Sequence, residues 1–371
     1  MMRRPVVLYF FTFAIAAVAL YLAFRKQNFH DLLNQIAGAN LFVILAGTII
    51  MFLSHFVRAW RYKMFLRPIA PHTRLSSAFR ALIAGYAMNN VVPRAGDVVR
   101  PVLFSKREQI PITSSVAVLL IERLTDLIGL SAILIASLLL FQDEIGREFP
   151  IITQWTVPII LVLSAVFLSA VMILFSERKT GRVINWVGRW LPYSIRLSIE
   201  HAAERIEEGL RGVRGGSAIP VVAGTLGISA LYTCSMYVAT LAFPSAPLNH
   251  VGLLACFLLQ SMSGVAYILP SPGGTGTYHF LVSQALTAAF GVPLEVSVAF
   301  ATLTHASNYL LTTIMGVSFM FHDGISLASV KSERAIVQQA KRVSGERQSD
   351  GEGHAQHVPT LDRNERSIVT L

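Results

Sequence analysis

The chain has 371 residues, of which 53% are apolar and only 14% are charged. Soluble domains average about 45–50% apolar and about 25% charged residues, so this composition excludes an ordinary soluble protein and favours lipid as the solvent. The formal net charge is +10, but the basic residues cluster beside apolar runs and no basic groove interleaved with aromatic residues is visible, so we expect no nucleic-acid partner.

Eight apolar runs approach the length of about 20 residues that a spanning helix requires, which predicts an all-α polytopic membrane protein with about eight transmembrane helices. These runs cover 6–24, 41–57, 113–141, 154–175, 219–242, 250–269, 277–292 and 294–321. The first run follows Met1-Met2-Arg3-Arg4 and resembles a secretory signal, but its length exceeds the usual 7–15 residues and favours an uncleaved first helix.

A ninth apolar stretch, 78–92, is short and is interrupted by polar residues. We interpret it as a re-entrant or broken helix, since non-helical backbone at membrane depth survives only where protein or a watery cavity satisfies it.

The charge of the loops predicts the orientation of the chain, because Lys and Arg accumulate on the cytoplasmic side. Segment 58–80 carries basic residues and no acid, and 176–214 carries eight basic residues. Segment 142–153 is mainly acidic and 243–249 is uncharged. We therefore expect both termini in the cytoplasm of a multi-pass inner-membrane protein.

Two segments are predicted outside the bilayer. Apolar residues recur every three or four positions over 195–213, which indicates a cytoplasmic amphipathic helix within about 181–214. That helix lies on the membrane, packs under the helix bundle or docks a partner. The domain boundaries we predict are 1–322 for the transmembrane domain and 323–371 for a disordered cytoplasmic tail.

The first constellation that could carry chemistry is Asn89-Asn90-Val91-Val92-Pro93-Arg94-Ala95-Gly96-Asp97-Val98-Val99-Arg100. Proline removes a backbone donor and glycine permits positive φ, so the helix should break here beside two arginines and the carboxylate of Asp97. The planar forks of Arg94 and Arg100 suit a phosphate. The alternative is that both arginines only anchor a cytoplasmic loop.

The second constellation is Glu122-Arg123-Leu124-Thr125-Asp126. On a helix Glu122 and Asp126 share a face, and Arg123 can pair with Asp126. A helix that begins at Thr113 places Glu122 roughly 14 Å along its axis, where ionisable groups are costly and default to a functional hypothesis. The alternative is a structural ion pair that locks this helix to the first loop.

The third constellation is a run rich in proline and glycine that cannot form a regular helix. It reads Leu269-Pro270-Ser271-Pro272-Gly273-Gly274-Thr275-Gly276-Thr277-Tyr278-His279. Peptide N–H groups freed by the break could hold an anionic headgroup, although the run could also be a plain turn between two spans. It is no nucleotide-binding loop, because no Lys-Ser/Thr follows the glycines.

The two breaks echo each other, since each places a glycine three residues after a proline and follows an apolar stretch. Transporters are often built from two repeats whose broken helices meet near the middle of the membrane, so we consider a two-repeat bundle. We find no catalytic triad, no paired-carboxylate signature and no metal spacing, and Cys234 and Cys256 lie in apolar segments. We therefore expect no catalytic residue, metal or cofactor.

The three constellations, in this order, resemble the lysylphosphatidylglycerol synthase/flippase transmembrane-domain family over about residues 5–322. The motifs that carry the resemblance are Pro93-Arg94-Ala95-Gly96-Asp97 with Arg100, Glu122-Arg123 with Asp126, and Pro270-Ser271-Pro272-Gly273-Gly274-Thr275-Gly276. Members commonly have Gly-Glu where this chain has Gly96-Asp97, and a Glu where it has His279, which puts any role of a carboxylate at that second position in doubt.

The resemblance implies a flippase-like role in lipid transport. Members fused to an aminoacyltransferase domain move aminoacylated phosphatidylglycerol outward, and others accompany glycosyltransferases. The tail of about 50 residues is too short for a catalytic domain, so we expect no lipid aminoacylation. We expect a protein that translocates or presents an anionic or glycosylated lipid. The expected partners are its lipid substrate and, alternatively, a lipid-modifying enzyme for which it is a scaffold. A membrane glycosyl- or acyl-group transferase is the other alternative.

Overall fold

The computed structural model describes residues 3–144, 150–175, 218–244 and 246–323. In this part of the chain the secondary structure is helical, without strands. The helices are α1 (Arg3–Phe24), α2 (Phe29–Gly38), α3 (Leu41–Leu66), α4 (Leu75–Val91), α5 (Gly96–Glu108), α6 (Ile112–Leu140), α7 (Pro150–Phe175), α8 (Ala218–Thr240), α9 (Ala246–Asn249), α10 (Ala255–Ile268), α11 (Thr277–Phe290) and α12 (Leu294–His322). The fold is that of an all-α multi-pass membrane protein.

By length and composition alone, two of the described helices can cross a membrane, Leu41–Leu66 and Ile219–Thr240. A third candidate is the pair formed by α1 and α2, which is bent by 87° at the break between them. The number of about eight spans stays a prediction. Two of the predicted spans contain α10 and α11, helices of 14 residues each. Each is about 21 Å long, shorter than the hydrocarbon core.

Two of the sequence predictions fall wholly or largely outside the described residues. These are the amphipathic helix within 181–214 and the tail over 323–371, of which only Asp323 is described. The described residues up to Phe319 belong to one compact unit.

Helix α3 packs along α8 through small residues, as helices in lipid commonly do. A Cβ atom added at Gly47 of α3 would lie 3.1 Å from the carbonyl oxygen of Ser235 on α8. The Ser235 hydroxyl donates to the carbonyl of Gly47 at 2.8 Å. The side chain of Asn40 caps the start of α3, accepting from the N–H of Phe42 at 3.0 Å.

The structure corrects the prediction that segment 58–80 is a loop. Segment 58–80 is not a continuous loop, because α3 continues to Leu66 and α4 begins at Leu75. Arg58 and Arg61 therefore lie on α3, where both are buried. The predicted span ended at residue 57 because an apolar run followed by arginines is also typical of a helix that ends at the cytoplasmic surface.

The buried apolar core is formed by α8, α10, α11 and α12, together with Leu32 of α2 and Ile44 of α3. Its members on α8, α10, α11 and α12 include Met236, Leu259, Val282, Leu286 and Phe300. This core fixes the helices on both sides of the second Pro/Gly break.

Candidate functional site

The first break lies between α4 and α5. Val92 is extended and Arg94 has a left-handed φ of 59°. The side chain of Asn89 accepts from the N–H of Gly96 at 2.7 Å and so begins α5. A Cβ atom at Gly96 would lie 2.0 Å from the carbonyl oxygen of Gly85, so only glycine allows α5 to lie this close to α4.

The second break lies between α10 and α11. Pro272–Gly274 forms a single 3₁₀ turn, and Gly273, Gly274 and Gly276 all have positive φ. Thr277 donates to the carbonyl of Ala266 at 3.0 Å and thereby joins the two short helices. The predictions of non-helical backbone at both breaks are confirmed. The stretch 78–92, interpreted as a re-entrant or broken helix, is unbroken, because α4 runs from Leu75 to Val91 and the break follows it.

The two breaks approach each other, which was also predicted. A Cβ atom at Gly273 would lie 2.6 Å from the side-chain oxygen of Asn90, at the end of α4. Arg94 donates to the carbonyl of Ile268 at 3.4 Å, across the two breaks. Helix α12 binds both sides, because Tyr309 donates to the carbonyl of Asn90 at 2.9 Å and His305 lies 2.9 Å from the carbonyl oxygen of Gly273.

His279 lies at the start of α11 and interacts with the break. Its Nδ1 accepts from the N–H of Gly276 at 3.4 Å, and its ring lies 4.8 Å from that of His305. Helix α1 packs against this break, because a Cβ atom at Gly276 would come within 2.4 Å of the carbonyl oxygen of Ala16. Helix α1 therefore lies directly over this part of the second break.

A small cavity lies beside the second break, between α3, α8, α10, α11 and α12. Its volume is about 30 Å³, enough for two or three water molecules, since one water needs roughly 10–15 Å³ on this measure. Polar side chains line much of it, namely Thr48, Ser235, Ser263, Tyr267, Tyr278, Thr304, Ser307 and Asn308. Its size and polarity suit water and exclude a lipid headgroup in this conformation.

A second polar region joins α3, α5 and α6 through buried charges. We call it the ion cluster, and its members are Arg58, Arg61, Arg100, Glu122 and Asp126. Asp126 forms ion pairs with Arg58 and with Arg61. Glu122 lies 3.4 Å from Arg58 and 2.7 Å from Arg100. Glu122 is fully buried, as expected for an acid that three helices surround.

Neutral side chains hold the arginines of the ion cluster in place. The guanidinium group of Arg100 lies 4.3 Å from the ring centroid of Tyr62, a distance typical of a cation–π interaction. Arg61 donates to the hydroxyl of Thr225 at 2.9 Å, and Arg58 donates to the hydroxyl of Tyr232 at 3.3 Å. Helix α8 is thereby joined to the cluster.

Arg123 does not pair with Asp126, contrary to the sequence interpretation. It donates instead to Asp97 at the start of α5. The side chains of Arg123 and Asp97 are 44% and 38% exposed, so this pair forms the rim of the ion cluster. Helix geometry explains the difference, because the face of α6 that carries Asp126 is turned towards α3, whose arginines the sequence had placed in a loop.

The predicted headgroup residues are divided between these two regions. Asp97, Arg100, Glu122, Arg123 and Asp126 lie in or at the rim of the ion cluster. The remaining predicted residues belong to the breaks, namely Arg94, Gly96, Pro270, Pro272, Gly273, Gly274, Gly276 and His279. The two arginines assigned to one phosphate differ in setting, because Arg94 is exposed and Arg100 is buried.

Sequence reasoning missed Arg58 and Arg61 as site residues. Their spacing of three positions places both on one face of a helix, and this signal was available once α3 was extended past residue 57. Asn90 belonged to the first constellation but had no predicted role, although it makes hydrogen bonds to Thr312 and Thr313 that tie α4 to α12.

The chain is similar in sequence to a protein family and to two known proteins. The family described as "Lysylphosphatidylglycerol synthase TM region" matches residues 9–316. "Glycosyltransferase AglD" of Haloferax volcanii is 25% identical over 90% of this chain. The chain spans only 57% of the length of that relative. "UPF0104 membrane protein MJ1595" of Methanocaldococcus jannaschii is 21% identical over 81% of this chain and 89% of its own length. The match over residues 9–316 covers most of the chain, which therefore belongs to the lysylphosphatidylglycerol synthase transmembrane family.

Proposed function

We propose that this protein translocates an anionic or glycosylated lipid between the leaflets of the inner membrane. The observation that carries the proposal is the meeting of the two breaks, where Asn90 contacts Gly273 and Arg94 reaches Ile268. Irregular backbone inside a membrane protein is tolerated where it lines a cavity, and broken helices that meet are typical of transporter sites.

The surroundings of the breaks support a path for a polar headgroup. The small cavity beside the second break is lined by polar side chains together with the apolar side chains of Ile44, Met51 and Met236. Helix α1 covers Gly276 and has no other described helix between it and that glycine. Because the cavity holds no more than water, passage of a headgroup requires the helices around the breaks to separate. In this proposal the exposed Arg94 meets the phosphate first.

Reconstitution in liposomes tests translocation directly. The full chain should accelerate the appearance of a headgroup-labelled anionic lipid in the opposite leaflet, measured by quenching with an impermeant reagent. Gly273→Ala should slow this at least tenfold, because its Cβ atom would lie 2.6 Å from Asn90 and 2.9 Å from Tyr309.

Gly252→Ala is the matched control, since nothing lies within 4 Å of a Cβ atom there. Liposomes without protein give the background rate. A wild-type rate equal to that background for phosphatidylglycerol and for an isoprenoid glycosyl phosphate would overturn the proposal.

A second candidate function is a membrane transferase that acts on lipid substrates, favoured by the name of the relative "Glycosyltransferase AglD". Both carboxylates of the ion cluster are engaged in ion pairs, so neither is free to act as a base in this conformation. In the part of the chain that the structure describes, no three His, Cys, Asp or Glu side chains are placed to hold a metal. Incorporation of labelled sugar from a nucleotide sugar into lipid by the purified chain would favour this candidate.

A further inference from the structure

The ion cluster contains more positive than negative charge. Its three guanidinium groups face two carboxylates, those of Glu122 and Asp126. The neighbouring Arg123–Asp97 pair is neutral and leaves this balance unchanged. Among the described residues, one buried positive charge of the cluster therefore has no counterpart, and buried charges without a partner are strongly disfavoured.

The same arginines hold unused hydrogen-bond donors. The Nε atoms of Arg58, Arg61 and Arg100 are buried and have no hydrogen-bond partner in the part of the chain that the structure describes. The Nη2 atom of Arg100 lies 2.7 Å from Glu122, yet neither atom makes an aligned hydrogen bond there. Buried donors are nearly always satisfied in folded proteins, so unsatisfied donors on all three arginines of the ion cluster indicate an acceptor that arrives from outside.

The ion cluster can be reached from one side. Glu122 and Arg61 are buried at its centre, whereas the side chain of Asp126 is 23% exposed. The rim pair of Arg123 and Asp97 is more exposed still. A charged group could enter past Asp126 by displacing this carboxylate from Arg58 and Arg61.

We propose that the ion cluster binds the phosphodiester monoanion of a lipid headgroup, held by Arg58, Arg61 and Arg100. A lipid phosphodiester carries one negative charge, which matches the one excess positive charge of the cluster. Its two unesterified oxygens accept several hydrogen bonds, and arginine forks suit this planar, two-point recognition. A diphosphate would bring excess negative charge, and a zwitterionic headgroup would bring a cation towards three arginines.

This proposal rests on the proposed lipid function and specifies the headgroup. The phosphodiester could belong to a glycerolipid or to an isoprenoid glycosyl phosphate, which share this chemistry. Binding is measured with the purified full chain in detergent, by native mass spectrometry and by the rise in melting temperature. The probes are phosphatidylglycerol, an isoprenoid glycosyl phosphate, phosphatidylcholine and an isoprenoid diphosphate.

At least one of the two phosphodiester monoanions should bind tenfold or more tightly than phosphatidylcholine and than the diphosphate. Tighter binding of phosphatidylglycerol assigns the site to glycerolipids, and tighter binding of the glycosyl phosphate assigns it to isoprenoid lipids. Equal binding of all four probes would overturn the proposal.

Two charge variants test the site itself. Arg61→Gln removes the excess charge and should weaken phosphodiester binding at least tenfold. Arg67→Gln removes the same charge from an exposed position just beyond α3 and should leave binding unchanged. Glu122→Gln raises the excess by one charge and should shift the preference towards the diphosphate at least tenfold.

The Glu122→Gln arm keeps the proposal falsifiable if Arg61→Gln fails to fold, because it predicts a changed preference rather than a loss. Identical binding by wild type, Arg61→Gln and Arg67→Gln would exclude the site. Charge-dependent binding without any lipid movement in liposomes would leave the site in place and overturn translocation alone. If Arg61→Gln still moves lipid and binds it as the wild type does, the proposed binding site is overturned and translocation stands.

Discussion

At the scale of single residues, Asp126 has the most testable role, because it neutralises two arginines of α3. Asp126→Asn should lower the free energy of unfolding by roughly 2–4 kcal/mol, since a buried pair that loses one partner leaves an uncompensated charge. This value is lower than the roughly 3–5 kcal/mol typical of a fully buried pair, because 23% of the Asp126 side chain is exposed. Thermal unfolding in detergent measures it.

A second substitution identifies the partner of Asp126. Adding Arg61→Gln to Asp126→Asn should restore part of the lost stability, because the unpaired charge is removed with it. Adding Arg123→Gln should restore nothing, since Arg123 pairs with Asp97. Asp31→Asn, on the exposed face of α2, controls for the loss of an acid. Equal rescue by both second substitutions would contradict the ion cluster described above.

At the scale of elements, the contact between α1 and Gly276 predicts unequal effects of two similar substitutions. Gly276 and Gly291 both have positive φ, and an alanine at either costs about 1 kcal/mol or more from backbone strain. Only at Gly276 would the new Cβ atom meet another helix, 2.4 Å from the carbonyl oxygen of Ala16, whereas nothing lies within 4 Å at Gly291.

Gly276→Ala should therefore lower the melting temperature clearly more than Gly291→Ala, and it should loosen α1. The second effect is measured by hydrogen exchange of the α1 amides in the two variants. Equal melting temperatures together with equal exchange would show that α1 does not depend on this contact.

The elements also show which features could be predicted from the sequence. Both breaks were predicted because proline and glycine act locally, through a missing donor and a permitted φ. The end of α3 was not predicted correctly, because the burial of Arg58 and Arg61 depends on Glu122 and Asp126. Those acids follow more than 60 residues later, and a pattern within one helix contains no information about a partner so distant.

At the scale of the whole molecule, the charge of the loops predicts which segments face the cytoplasm. Ser198→Cys, in the basic segment 176–214, should not react with an impermeant maleimide in intact cells, whereas Gln142→Cys in the acidic loop should react. Both are made after replacement of Cys234 and Cys256. Permeabilised cells should label both positions. Efficient labelling of Ser198→Cys in intact cells would reverse the proposed orientation.

The pairing between α3 and α6 also affects how the chain enters the membrane during synthesis. Arg58 is separated from Glu122 by 64 positions, which corresponds to about 3–13 s of translation at 5–20 residues per second. During this interval α3 holds arginines without their acids. Because both lie in its last third, their long side chains can extend to the aqueous interface. Helix α3 can therefore insert at once, but its arginines reach their buried positions only after α6 has been made, so the ribosome sets the order in which this site assembles.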